Sequence, residues 1–263
     1  MHRGHANLAY RFLNGYLQQT GDYAGLELLP FYLSYRAMVR AKIAGFRLAQ
    51  EPSTAARRDC LDYLLLADES LKRRRPALII THGLPGCGKS TVSQMLLEKH
   101  LLIRLRSDIE RKRLFGLSAL QQSGSTISGG IYNAQASERV YRHLLEQART
   151  LLENGYAVII DAAFLKHQQR QPFRHLAQQM NAAFAILTIQ ARDDILRQRI
   201  LDRQQRGDDP SEAGLTVLDH AICEQEALQT DELVDTLVLH NDFGEPGCAD
   251  QQPAWRELAR LLQ

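Results

Sequence analysis

The sequence predicts an α/β protein built on a mostly parallel five-stranded sheet and preceded by an all-helical block. Three observations carry that expectation. From Pro76 onward, short β-branched runs alternate with helical periodicity, the pattern of a parallel sheet with helices on both faces. The segment Gly83-Leu84-Pro85-Gly86-Cys87-Gly88-Lys89-Ser90 lies between the first such run and a helix, matching G-x-x-x-x-G-K-[ST] in its meaningful context. From about Asn7 to Leu71 apolar residues recur at helical spacing with no strand signal between them.

Length and composition set the outer limits. The 263 residues suffice for one domain of ordinary size plus a smaller one, and a 44% hydrophobic content suits a chain with a buried core. Lys and Arg number 32 against 30 Asp and Glu, a formal +2, so no global charge directs the chain to nucleic acid or to a membrane. Cys60, Cys87, Cys223 and Cys248 lie far apart without C-x-x-C spacing, which speaks against a disulfide framework or a zinc site and for a reducing compartment. No apolar run approaches membrane-spanning length, so a soluble cytoplasmic protein is expected.

In the helical block, Leu8, Phe12, Leu13, Tyr16 and Leu17 fall on one face, Phe31, Tyr35, Met38 and Val39 begin a second, and Leu61, Leu64 and Leu65 mark a third. Gly21-Asp22 and Glu51-Pro52-Ser53 break the pattern, with Ser53 an N-cap. Lys72-Arg73-Arg74-Arg75-Pro76 reads as a solvated linker rather than a nucleic-acid patch, and divides residues 1–75 from 76–263. Five strands follow: Ala77–Thr81, Leu101–Leu105, Ala157–Ile160, Phe184–Ile189 and Thr236–Leu239. A long helix spans Ala134 to Leu152 and closes at Asn154-Gly155. The stretch Gln121–Thr126 with Gly129-Gly130 reads as a mobile loop suited to substrate contacts.

The glycine segment carries the chemistry. Its glycines let successive backbone N–H groups turn inward into an anion nest, and the positive end of the following helix points at the same spot. Gly83 to Ser90, together with Thr91, would hold the phosphates of a nucleoside triphosphate; Lys89 would reach the β- and γ-phosphates and the Ser90 hydroxyl would ligate Mg²⁺. Both the helix dipole and Lys89 favour thiolate at Cys87 if that sulfur is reachable; otherwise Cys87 is a small side chain filling the loop.

In an open parallel sheet ligands sit at the carboxyl ends of the strands. The second strand ends in Arg106-Ser107-Asp108-Ile109-Glu110-Arg111, where Asp108 and Arg111 share one helical face. Either they form a proton acceptor beside an anion clamp, or Asp108 caps the helix and Arg111 is solvated. Asp161 ends the third strand in the position of a Walker B carboxylate that orients Mg²⁺. Arg199, Arg203 and Arg206 form one basic helical stripe that either closes over the phosphates or is a solvated face. Asp209-Pro210-Ser211-Glu212 reads as an N-cap, a proline at N1 and a capping-box glutamate, which leaves Glu212 structural. His82, His167 and His240 lack partners at metal-ligand spacing, and Tyr132 either touches substrate or packs.

Taken together, Gly83–Thr91, Ser107-Asp108 with Arg111, Val158–Asp161 and Arg199–Glu212 resemble small P-loop kinases of the zeta-toxin, gluconate-kinase and polynucleotide-kinase type, AAA-domain ATP-binding proteins. The resemblance covers roughly Pro76 to Gln263. It implies a three-layer P-loop NTPase fold with strand order 2-3-1-4-5, Asp108 as base, Arg111 as substrate clamp and the arginine helix as a lid over ATP. Leu8–Asn14 and Leu29–Arg36 resemble the closing helices of an aminoglycoside-phosphotransferase-like domain, helices that hold no catalytic motif. That similarity implies apolar faces left to pack on the kinase domain or on another chain.

The expected function is an ATP- and Mg²⁺-dependent phosphotransferase acting on a hydroxyl. Gly83, Gly86, Gly88, Lys89, Ser90 and Thr91 bind nucleotide, Asp161 supports Mg²⁺, Asp108 takes the proton, Arg111 and Tyr132 meet substrate, and Arg199, Arg203 and Arg206 close over the phosphates. The rivals are an NTPase or nucleotide-binding regulatory module, and a non-catalytic assembly fragment. Small metabolites, nucleotide sugars, nucleosides and polynucleotide 5′-hydroxyls all stay open as acceptors.

Overall fold

The computed structural model of the protein describes residues 5–72, 75–125, 129–207, 209–242 and 252–262. Arg73 and Arg74 of the basic linker, Thr126, Asp208 and Cys248 lie outside them. Three helices come first: α1 (Ala6–Thr20), α2 (Leu29–Gln50) and α3 (Thr54–Leu71). The remaining order is β1 (Ala77–His82), α4 (Lys89–His100), β2 (Ile103–Arg106), α5 (Ser107–Leu114), α6 (Ala134–Glu153), β3 (Ala157–Asp161), α7 (His167–Gln179), β4 (Ala183–Gln190), α8 (Asp193–Arg206), α9 (Leu215–Glu224), β5 (Thr236–His240) and α10 (Pro253–Leu261).

The strands form one 5-stranded sheet in the order β2-β3-β1-β4-β5, every pairing parallel, as the kinase resemblance implies. Parallel strands need crossover helices, and these cover both faces. Every residue of β1 is buried. Leu78 and Ile80 point into one core with β2, α6 and α7, whereas Ile79 points into the other with α4, α8 and α10. All five carboxyl ends therefore open on the same edge. The β2 register sets Arg106 beside Asp161 there.

The N-terminal helices depart from the expected faces. In α1 the inward residues are Tyr10, Asn14 and Leu17, with Leu13 partly buried, while Leu8, Phe12 and Tyr16 face outward. A polar residue sets this orientation. The Asn14 side chain, 2% exposed, donates to Leu102 O at 2.9 Å and accepts from the Arg104 backbone N–H at 2.7 Å, so α1 closes the otherwise unpaired edge around β2. Tyr23, in the 3-10 turn region after α1, reaches Glu110 of α5, and Arg113 of α5 donates to Gln18 O at 2.6 Å. Helices α2 and α3 form a hairpin that buries Ala37, Ala41, Ala44 and Ala67 and leaves Phe31, Tyr35, Met38, Leu61, Leu64 and Leu65 exposed. Small residues at the helix–helix contact let the two backbones approach closely, which turns the larger side chains outward. Ser53 caps α3, accepting from the Ala56 N–H at 3.1 Å.

Asn14→Ala strips partners from two buried backbone groups at once. Each group so orphaned costs about 1–3 kcal/mol. Urea denaturation should show a loss in that range or above, and wild-type stability would mean that α1 is not held to β2 by this side chain.

Candidate active site

The strand ends, the glycine loop and the segments after α5 and α8 enclose a cleft of about 1130 Å³. Pro85, Gly86, Gly88, Lys89, Ser90 and Thr91 line one side, whereas Gly83, Leu84 and Cys87 do not line it. Gly86 and Gly88 take φ values of 85° and 95°, where a side chain would be strained. A Cβ on Gly86 would also lie 2.6 Å from Leu196 O, so α8 presses directly on the loop. Lys89 Nζ donates to Gly83 O at 2.9 Å and Leu84 O at 2.8 Å. Asn241, just past β5, donates to Cys87 O at 2.8 Å and pins the loop from the far edge of the sheet. The Cys87 side chain is 1% exposed and belongs to the apolar core, so the space-filling reading holds and the reachable thiolate does not.

Two arginines that the sequence reading did not single out organise the floor. Arg104, on β2, is buried and donates to Ser90 O and Ser93 Oγ, both at 3.1 Å; burial lowers it to about 10. Arg106 ends β2 and touches three segments: Ser90 Oγ at 3.3 Å, Asp161 at 3.5 Å and Asp209 at 3.4 Å. Burial works against the charged Arg106, but the carboxylates of Asp161 and Asp209 prevail and raise it above the ordinary arginine range. Asp161, 6% exposed, also accepts from Ser93 Oγ at 3.3 Å. The alternation Ile-Arg-Leu-Arg in β2 was the available signal, since basic residues in a buried strand need acidic partners at its end.

Asp108, Arg111 and Tyr132 line the same cleft. Arg111 is buried, donates to Ile131 O at 2.7 Å, and stacks over the Tyr132 ring with 5.0 Å between its guanidinium and the ring centroid. Arg111 Nε and Tyr132 Oη are buried with no hydrogen-bond partner among the described residues, two polar groups in a cleft wall that a ligand could satisfy. Burial, with Asp108 and Glu212 adding to it, raises the Tyr132 phenol and keeps it protonated. Arg199, Arg203 and Arg206 line the cleft from α8, and Arg203 donates to Ala213 O at 2.6 Å.

Glu212 overturns its capping-box reading. Helix α9 starts at Leu215, and Glu212 instead accepts from Ser123 N–H at 2.9 Å and Ser123 Oγ at 2.6 Å while pairing with Lys112 at 3.0 Å. Asp209 does accept from the Ser211 N–H at 2.8 Å, a local turn without a helix behind it. His82 is buried at the end of β1, Nδ1 3.1 Å from Thr188 Oγ1. No group of three or more His, Cys, Asp and Glu that could hold a metal occurs among the described residues.

Two measurements check this description. Burial first, then the charges of Arg170 and Lys89, lower His82 from its ordinary 6.5 to about 4. Between those values the unfolded chain binds a proton that the folded chain refuses. Stability present above pH 6.5 should therefore fall as the pH drops toward 4, with a slope approaching about 1.4 kcal/mol per unit. His82→Asn should flatten that stretch of a urea-stability profile; an unchanged slope assigns it elsewhere. In alkylation mapping, exposed Cys223 should label before buried Cys87, and the reverse order would mean that the loop opens.

A family model described as AAA domain matches residues 78–228. The chain is 32% identical over 201 residues to the uncharacterized proteins Rv2004c of Mycobacterium tuberculosis and Mb2027c of Mycobacterium bovis, covering 76% of this chain and 40% of each relative. It thus spans about 40% of the length of the curated relatives it matches. A Chloroflexus aurantiacus protein assigned as a kinase superposes with a TM-score of 0.53 at 22% identity, over 72% of this chain and 100% of that one. Chaetomium thermophilum Kti12 in complex with ADP-AlF3 gives 0.52 at 14% identity, over 71% and 99%. At these identities the likeness is one of fold, a P-loop NTPase sheet. Since the family model spans more than half of the chain and includes the glycine loop, the chain belongs to the AAA domain family.

Proposed function

We propose that the protein is a phosphotransferase that moves the γ-phosphoryl group of ATP to a hydroxyl of a second substrate. One observation carries this reading: the cleft lined by the glycine loop is also lined by a carboxylate and a guanidinium, Asp108 and Arg111. An NTPase that uses water alone has no need of an anion clamp in the cleft of its phosphate loop.

The residues divide the work as follows. The loop N–H groups and the α4 N-terminus bind phosphate oxygens, and Lys89 exchanges its loop carbonyls for the β- and γ-phosphates. Asp108 accepts the proton of the attacking hydroxyl. Arg111 and Tyr132 hold the acceptor, with Arg111 Nε and Tyr132 Oη as the groups still to be satisfied. Arg199, Arg203 and Arg206 meet the charge that spreads over the γ-phosphate oxygens. Mg²⁺ suits the corner where Ser90 Oγ and Asp161 already converge on one cation, the Arg106 guanidinium; bound there, it would neutralise β- and γ-phosphate charge.

The test is ADP release with Mg·ATP across a panel of hydroxyl compounds. One compound should raise the rate sharply. Asp108→Asn should then lower transfer on the order of a hundredfold while sparing Mg·ATP affinity, and Lys89→Ala should weaken binding or turnover strongly. A flat basal rate across the panel supports the NTPase instead, and wild-type ATP affinity and turnover in Lys89→Ala removes the nucleotide assignment.

A further inference from the structure

A continuous set of polar contacts links residues 117–125, residues 209–214 and Arg111. Lys112, on α5 and 1% exposed, donates to Ala119 O at 3.1 Å and pairs with Glu212 at 3.0 Å. Glu212 takes both the N–H and the hydroxyl of Ser123. Ser123 Oγ in turn accepts from the Ser125 N–H at 3.2 Å, Ser125 Oγ accepts from the Ile131 N–H at 3.2 Å, and Ile131 O accepts from Arg111. On the other side of Glu212, the neighbouring Ala213 carbonyl receives Arg203. The path therefore runs from Arg203 of α8 to the guanidinium of Arg111.

None of residues 117–125 is buried, and within 209–214 only Pro210 is. With so little apolar anchorage, polar contacts place both segments: this cluster for both, and for 209–214 also the pairing of Arg106 with Asp209 at 3.4 Å. A buried lysine is costly unless its carboxylate partner is well placed, and here hydrogen bonds from Ser123 and Lys112 outweigh burial and hold Glu212 below the usual carboxylate range.

We infer, resting on the nucleotide and acceptor reading above, that Lys112 and Glu212 are positioning residues that fix residues 117–125 to residues 209–214, so that the acceptor-side wall and the arginine-side segment open and close as one. Nucleotide bound at the glycine loop is then felt at Arg111.

Hydrogen exchange on the full chain, read by mass spectrometry, tests this without a known acceptor. In the absence of nucleotide, Glu212→Gln and Lys112→Met should each raise exchange in both segments together, by roughly threefold or more, and Lys112→Arg should restore the wild-type rates. Acceleration of one segment alone, or no rescue by arginine, overturns the inference. If Lys112→Met does not fold, Ser123→Ala cuts the same path from the other end and must again loosen both segments. Adding Mg·AMP-PNP should protect both segments in the wild type but only 209–214 in Glu212→Gln. Protection of 117–125 that persists in that variant also overturns the coupling. If calorimetry shows no AMP-PNP binding to the wild type, the nucleotide reading falls, and the nucleotide-free exchange alone decides the latch.

Discussion

The guanidinium of Arg106 holds together three segments that are remote in the chain: the start of α4 through Ser90, the end of β3 through Asp161, and the stretch after α8 through Asp209. Asp161 is almost entirely shielded from water, and an isolated carboxylate there would be costly. Its compensation comes from Arg106 and from Ser93, which also receives Arg104. The strand register makes this possible, because only a parallel β2–β3 pairing with Arg106 opposite Asp161 brings both groups to the same edge. The glycine loop is thus placed by charge as well as by the sheet.

Helix α5 is only eight residues long, yet it serves three directions. Asp108 and Arg111 line the cleft, Lys112 reaches Glu212, and Glu110 with Arg113 turns back toward the N-terminal segment. Glu110 is buried among Tyr23, Arg113 and His143; burial would raise its carboxyl, but hydrogen bonds from His143 and Arg113 lower it, so it stays charged. Such a short helix has little stability of its own. Its orientation comes from these partners, and the cleft lining that carries Asp108 and Arg111 inherits it.

The strands, the glycine loop and the cleft-lining Asp108, Asp161 and arginine stripe were legible because their signals are local. Buried parallel strands are continuous apolar runs, and a phosphate loop has fixed glycine spacing. What escaped depends on distant partners. The face of α1 was misjudged because Asn14, a polar residue, outranks Phe12 once the unpaired groups around β2 must be satisfied. Asp209 to Glu212 has capping grammar, but Arg106 and Lys112 draw both carboxylates away. Helix α10 lies outside the expected elements although its signal is local, with Pro253 at its start and Trp255 and Leu258 one turn apart.

The contacts of Asn14 with Leu102 and with Arg104 of β2 join residues 88 and 90 positions apart. During synthesis at about 5–20 residues per second, the buried face of α1 would precede its partner strand by roughly 4–18 s. Tyr10 and Leu17 are then uncovered on a nascent chain whose next helices, α2 and α3, also display large apolar side chains. Until β2 arrives Tyr10 and Leu17 lack the core they later join, so shielding of short apolar helices on the nascent chain is the consequence of building the sheet edge from the first helix.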